Sequence, residues 1–299
     1  MTGDERLMNR EKKRGVLFSL LALSRLGNGL VASAAVLLGL FFAKGSLTLN
    51  TVTGMIAYLL LVSAGNADND LLDLETDRIN QPARPLPSGA LSTKTAALFA
   101  AGTTAAALLL GWLASLEQFA LLLAAALLLF LYNRRLKNFP RAGNYTVALL
   151  SASPLLWHSW PHPARAQWAA ALVALLLTSL RELIKDFEDR SGDLAAGRRS
   201  LPITAGERAA VQTLAMRFSA SYGAAIAVPL IASWGVLPAV RYWCALLLLA
   251  TPLLISALLL AKKALHSPAE EQRTHWSESQ KRIKWAMVAG MGALFLATF

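Results

Sequence analysis

Read for its apolar and polar positions, the chain is a series of long apolar runs separated by short polar breaks. A helix that crosses a bilayer needs about 20 mostly apolar residues. Runs of this kind cover about 16–43, 51–67, 95–116, 118–133, 143–160, 167–185, 207–231, 237–261 and 283–299. Glu117 and Gln118 separate the third from the fourth, and Pro161 to Gln167 separate the fifth from the sixth. The pattern predicts an all-α polytopic membrane protein of about nine transmembrane helices. The basic stretch Arg10 to Arg14 leads into an apolar run with no small-residue cleavage pattern, so the first span reads as a span and not as a cleaved signal.

Composition narrows this reading. Of 299 residues, 55% are hydrophobic and 16% charged, where a soluble domain has roughly 45–50% and 25%. A soluble multidomain enzyme or a disordered chain is excluded. The net charge of +11 raises the question of nucleic acid. Its distribution answers it. With the N-terminus in the cytoplasm and the spans alternating, 24 of the 29 basic residues fall on inside segments. Positive-inside topology accounts for the charge, and no nucleic-acid partner is expected. The same orientation puts the loops 68–94, 134–142 and 262–284 and the segment 181–208 in the cytoplasm, in a prokaryotic inner or cell membrane. Cys244 is the single cysteine, and His158, His162, His266 and His275 lack zinc-site spacing.

The acidic residues carry the chemistry. More than half of the 18 lie in two short windows at cytoplasmic helix ends, 66–77 and 182–193. In the first, Asp70, Asp73 and Asp77 fall at i, i+3 and i+7. In the second, Asp186, Asp189 and Asp193 do the same. That spacing puts three carboxylates on one helix face. One turn earlier on each face stand Asn66 and Glu182. Each window is followed by a similar stretch, Arg84-Pro-Leu-Pro-Ser-Gly89 and Arg199-Ser-Leu-Pro-Ile-Thr-Ala-Gly206. The windows are pseudo-repeats, which divides the single domain into halves of about 16–142 and 143–261 plus a final helix of about 283–299. Two copies of one half-site imply a bundle with both acid faces turned to a central cavity.

A solvated charged face is the ordinary explanation of such a run. Helical register, duplication, and placement on the side where basic residues predominate argue against it. Stacked carboxylates repel one another unless a cation is present. The matching cation is Mg²⁺, which takes one or two carboxylates, retained waters and substrate phosphate. The nearby cations Arg78, Arg84, Lys185, Arg190, Arg198, Arg199 and the cluster Arg134, Arg135, Lys137 suit a diphosphate, and Arg fits phosphate with its planar fork. A diphosphate head whose tail needs a membrane interior belongs to an isoprenoid diphosphate.

The residues resemble a known family. Asn69-Asp70-x-x-Asp73-x-x-x-Asp77 is similar to the first signature of the UbiA superfamily of intramembrane prenyltransferases, and Asp189-x-x-x-Asp193 to the second. The extension from Asp77 to Gly89 also looks like this family. Arg25-x-x-Asn28 resembles its Arg-Pro-x-Asn, with Leu26 in place of the proline. Tyr132 and Lys137 resemble a tyrosine–lysine element at i+5 where the family has i+4, so that Arg135 or Arg134 could take the lysine's part.

The resemblance implies nine helices around a cavity under a cap of cytoplasmic loops, and two Mg²⁺ ions holding an allylic diphosphate. Asp70, Asp73, Asp77, Asp189 and Asp193 would be metal ligands. With Asp186 they form the expected catalytic set. The substrate-binding set would comprise Arg25, Asn28, Asn66, Asn69, Arg78, Arg84, Tyr132, Arg135, Lys137, Asn144, Glu182, Lys185, Arg198 and Arg199. Departure of diphosphate would leave an allylic cation for an acceptor to capture. Tyr58, Phe130, Tyr132, Tyr145 and Trp157 could stabilise that cation. The second window looks most like the branch that prenylates geranylgeranylglyceryl phosphate, a membrane-associated lipid. The first window is nearly as similar to chlorophyll synthases and quinone-pathway aromatic prenyltransferases. A transporter would carry its acids near the bilayer midplane. Arg217, within span seven, reads as a snorkelling or interfacial residue. The segment 262–284 reads as a cytoplasmic loop able to cover the cavity mouth.

Overall fold

The computed structural model describes residues 15–195, 197 and 199–298. The described residues contain helices and turns and no strand. Arg198 and the basic stretch Arg10 to Arg14 lie outside them. The helices are α1 (Gly15–Ser24), α2 (Leu26–Phe42), α3 (Leu49–Leu72), α4 (Leu74–Asn80), α5 (Thr93–Ala114), α6 (Leu116–Arg134), α7 (Pro140–Ala152), α8 (Arg165–Glu188), α9 (Arg190–Ala195), α10 (Leu201–Thr204), α11 (Glu207–Ile231), α12 (Val236–Ala245), α13 (Thr251–His266) and α14 (Ala269–Leu296). They fall into two compact units. One is Met1–Ala34 with Val52–Arg134, the other Ala35–Thr51 with Arg135–Phe299.

Helices α1 and α2 form one bent span, kinked by 52° at Arg25. Arg25 has φ 48°, a left-handed conformation that side chains with a Cβ adopt rarely and only when the surroundings hold them there. α5 starts at Ser92, whose hydroxyl accepts from the Thr95 amide at 3.1 Å, a standard N-cap. Its small stripe of Ala96, Ala100, Ala107 and Gly111 is buried, which lets α6 return antiparallel at close range. Gly65 does the same for α3, since a Cβ there would meet Leu129 Cδ2 at 2.4 Å. The Arg-Pro loop folds back so that Leu86 and Leu91 join Leu23 and Ala67 in the core.

In the second unit, α8 is the central helix and packs against α7, α11 and α14. Gly39 lies so near Leu155 that a Cβ would stand 2.4 Å from its carbonyl oxygen. Gln167 Nε2 donates to both carbonyls there, at 3.2 Å to Gly39 and 3.1 Å to Leu155. α12 runs through a π-helical turn, Leu246–Ala250, into α13. Pro252 explains the turn: it has no N–H for the carbonyl four residues back, and its ring would collide with it.

Among the described residues, six helices are long and apolar enough to cross a membrane, or seven if the bent pair is one span. Nine were expected. The two that fall short are α7, which has only 13 residues before the turn at Ser153 and Pro154, and α14, whose first half is strongly charged. The segment 262–284 is also not a loop. α13 continues to His266, and α14 begins at Ala269, so the last helix starts 14 residues before the apolar run at 283. Apolar side chains such as Leu113, Leu230, Val236 and Leu248 are exposed, as a surface facing lipid requires.

Candidate active site

The acidic set of the first unit sits where α3 passes into α4. The helical ladder runs through the join: Asp73 N donates to Asn69 O at 2.9 Å, and Asp77 N to Asp73 O at 2.7 Å. Asp70, Asp73 and Asp77 are therefore stacked as the spacing requires, and all three are buried. Arg25 Nη2 meets Asp70 Oδ1 at 2.5 Å. Arg84 Nη1 lies 2.5 Å from Asp77 Oδ2 and 3.3 Å from Asp70 Oδ1. The kink at Arg25 is what aims its guanidinium at Asp70. Asn66 Nδ2 donates to the Ser24 carbonyl, the last of α1, and so holds the kink in place. Asn28, one turn beyond, is half-buried. Of the residues expected beside the first three aspartates, the structure brings Arg25 and Arg84 onto them, while the Asn66 side chain goes to the Ser24 carbonyl.

Other candidates point elsewhere. Arg78 pairs with Glu75 on an exposed face. Arg134 forks onto Asp68, at 3.0 and 3.2 Å, over the face of Phe130. Asn133 Nδ2 completes that cluster at 2.9 Å from Asp68 Oδ2. Asp68 lies off the acid face, and its role is to clasp α3 to α6. Arg134, read as a cation for phosphate, is committed to that clasp.

The acidic set of the second unit sits at the end of α8. Asp189 N donates to Lys185 O at 2.9 Å and Asp193 N to Asp189 O at 2.8 Å, so the ladder again continues into α9. Asn144 Nδ2, from α7, donates to Asp186 Oδ2 at 3.0 Å. The charged groups that act on Asp186 are Glu182, Lys185 and Asp193. Glu182 is buried beside Arg181 at 3.3 Å and Lys185 at 3.9 Å. Arg190 turns away to Glu207 at 2.6 Å, and Arg199 is exposed. Arg135 is exposed, and Lys137 lies half-buried on the short turn after it. Tyr132 is half-buried at the end of α6 in the first unit.

Two features escaped the sequence reading. Trp276 of α14 stacks on Phe187 with ring centroids 4.5 Å apart at 15°. It braces the end of α8 between Asp186 and Glu188. Arg217 is also not interfacial. It is 6% exposed, and its Nη1 donates to the Ser179 carbonyl at 2.5 Å. Among the aromatic candidates, Tyr58 and Trp157 are core residues, with Trp157 Nε1 bonded to Asn50 Oδ1 at 2.8 Å.

The donor set suits a hard divalent cation, since each acidic set offers stacked carboxylate oxygens. Among the described residues no three carboxylate, histidine or cysteine side chains converge on one metal position. Mg²⁺ takes one or two protein carboxylates and completes its shell with water and substrate phosphate.

Comparison with known proteins agrees. The UbiA prenyltransferase family matches residues 32–277. The digeranylgeranylglyceryl phosphate synthase of Methanopyrus kandleri is 36% identical over 212 residues, covering 70% of this chain and 75% of that one. The Methanoregula boonei protein of the same name is 37% identical over 221 residues, covering 72% and 77%. A solved digeranylgeranylglyceryl phosphate synthase structure superposes with a TM-score of 0.72 at 26% identity, over 94% of this chain and 98% of that one. A homologue from Archaeoglobus fulgidus, solved with DMAPP and Mg²⁺, shares the fold with a TM-score of 0.61 at 18% identity, over 91% and 99%.

Proposed function

The chain belongs to the UbiA prenyltransferase family, and we propose that it joins a geranylgeranyl group, carried as its diphosphate, to geranylgeranylglyceryl phosphate. The observation that carries this reading is the pair of stacked carboxylate sets, each with cations or amides beside it. The names of relatives at 36 and 37% identity support the acceptor. The repeated sets support two Mg²⁺ ions, one for each set, acting on one diphosphate. The positive-inside distribution supports a cytoplasmic position for both sets and for the N-terminus, in an inner or cell membrane.

The chemistry follows from charge. Bound Mg²⁺ supplies Lewis acidity that stabilises the departing diphosphate. The chain's own residues do the rest. Asp70, Asp73 and Asp77 in one unit, and Asp189 and Asp193 in the other, provide the anionic oxygens. Arg25 and Arg84 stand at Asp70 and Asp77, where they can transfer their donors to phosphate oxygens as the aspartates take up cations. Apolar spans exclude the water that would quench an allylic cation. Asp186, which accepts a hydrogen bond from Asn144, would take the acceptor's proton.

The test uses the purified protein in detergent with labelled geranylgeranyl diphosphate and a panel of acceptors. The expected product is a diether phosphate, formed with Mg²⁺ and lost with EDTA. Asp70→Asn and Asp189→Asn should abolish it, while Asp68→Asn should lower stability and leave transfer in place. A prenylated aromatic product, with none from the glyceryl phosphate, would overturn the acceptor assignment.

A further inference from the structure

The break between α1 and α2 changes which backbone groups meet. Arg25 N donates to Ala22 O at 3.3 Å, and Asn28 N donates to Arg25 O at 2.8 Å, each three residues back. In an unbroken helix those two amides would serve the carbonyls of Leu21 and Ser24, four residues back. A buried carbonyl left without a donor is costly, and Ser24 is buried. Both released carbonyls are met by side chains. Ser24 Oγ donates to Leu21 O at 2.8 Å, and Asn66 Nδ2 of α3 donates to Ser24 O at 2.9 Å. A carbonyl only accepts, so the nitrogen of the Asn66 amide faces the break, and not its oxygen. Arg25 keeps φ 48° at that point, a conformation that only glycine takes without strain.

One face of α3 thus holds two consecutive residues of the bent span. Asn66 and Asp70 stand at i and i+4, one turn apart. Asn66 takes the backbone of Ser24, and Asp70 Oδ1 takes the guanidinium of Arg25 at 2.5 Å. The amide is not needed to attach α1 to α3, since Leu23 and Ala67 already share a buried cluster with Leu86 and Leu91. What it adds is the shape of the chain at Arg25. The Asp70 pair supports that shape only while the carboxylate is free to meet the guanidinium. The bond from Asn66 to the Ser24 backbone is independent of that pair.

We infer that Asn66 is a positioning residue for Arg25: its bond to the Ser24 carbonyl keeps the chain broken there, so that the guanidinium stays aimed at the diphosphate after Asp70 has released it. This rests on the proposed function, in which Asp70 serves a cation and Arg25 passes to a phosphate oxygen. Asn66 does not touch substrate. It acts through Arg25, and its effect is read in the affinity for the prenyl diphosphate more than in the KM for the acceptor.

The experiment uses purified full-length protein in detergent. It measures the melting temperature, both KM values, and the affinity for the unreactive analogue geranylgeranyl thiodiphosphate by calorimetry with Mg²⁺. The variants are Asn66→Ala, Asn66→Asp, Arg25→Gly, and Arg25→Gly combined with each Asn66 substitution. Asn66→Ala should weaken the analogue and raise the KM for geranylgeranyl diphosphate about tenfold, and leave the acceptor KM within about twofold. Asn66→Asp keeps the side-chain oxygen and loses the donor, and it should bind the analogue as poorly as Asn66→Ala. Arg25→Gly removes the guanidinium and takes the left-handed conformation without strain. In that background either Asn66 substitution should cost the analogue about twofold or less, because Asn66 acts through Arg25. An Asn66→Ala protein with wild-type analogue affinity overturns the inference, even if its melting temperature falls. So does a further tenfold loss in the Arg25→Gly background, and so does an Asn66→Asp protein with wild-type affinity, since the oxygen would then be the working atom. If Asn66→Ala does not fold, Asn66→Asp alone and with Arg25→Gly decides the question. A wild-type protein that neither binds the analogue nor transfers a prenyl group refutes the proposed function instead.

Discussion

Arg84→Met separates the two jobs assigned to the first acidic set. Arg84 bridges Asp77 at 2.5 Å and Asp70 at 3.3 Å, and methionine keeps most of its apolar stem while removing the charge. Asp70 retains Arg25 at 2.5 Å, so the loss falls on Asp77. Breaking a fully buried pair costs about 3–5 kcal/mol, and an exposed one about 0–1. Here the acids are buried, and Arg84 is 31% exposed. The loss should lie between those limits, at about 1–3 kcal/mol, or about 2–6 °C in melting temperature at roughly 2 °C per kcal/mol. Mg²⁺ changes the outcome. A cation that binds the folded state alone at a hundred times its Kd adds about 2.7 kcal/mol. In the variant it meets an uncompensated carboxylate, whereas in the wild type it must first displace Arg84. The melting curves, followed by tryptophan fluorescence in detergent, should differ without Mg²⁺ and converge at saturating Mg²⁺. Activity should stay low in the variant, because no guanidinium remains to meet the diphosphate. Equal melting temperatures without Mg²⁺, or equal Mg²⁺ shifts in both proteins, would refute this account of the site.

Two other outcomes test the framework around the acidic sets. Gly39→Ala would set a Cβ 2.4 Å from the Leu155 carbonyl oxygen, where both neighbours are backbone and Gln167 ties them together. It should lower stability by about 1–3 kcal/mol in a thermal melt, and a melt like wild type would show that the two segments can part freely. Trp276→Ala removes a buried stack on Phe187 and should lower the melting temperature by the equivalent of about 3–5 kcal/mol, with Trp276→Phe restoring most of it; equal melts for the two variants would refute the brace.

The acid registers were legible because a helical period of 3.6 leaves a readable trace in sequence, and because the trace occurs twice. Longer-range consequences were not legible. Arg25 carries a left-handed backbone with no glycine or proline beside it to announce the break. Arg217 takes its main partner from a backbone carbonyl, and every residue has one, so no side-chain pattern points to it. The first half of α14 reads as a loop because its charges are dense. In the structure those charges solvate an exposed helical face, with Lys281 on Glu278 at i−3. A charge count does not separate a loop from such a face. The buried Trp276 within the charged run was the available signal.

The repeat extends below the level of residue type. Asp73, at the join of α3 and α4, has φ −94° and ψ 7°; Asp189, at the join of α8 and α9, has φ −90° and ψ 0°. Each is the middle aspartate of its set, and each lies in the bridge region between helix and strand, where active-site residues recur. The amide of each still donates four residues back, and its carbonyl still accepts from the third aspartate. The join therefore turns the third carboxylate relative to the first without breaking the ladder that spaces them. A solvated charged face has no need of one backbone setting at one position in two separate units. Carboxylates that must share cations with a phosphate do need it, because the direction in which each oxygen points decides whether two of them can bind one ion. The surrounding charges are not repeated in the same way. The first set has two guanidinium groups against Asp70 and Asp77, while the second has an amide at Asp186. The spacing and backbone of the aspartates are common to both units, and the side chains that meet them are not.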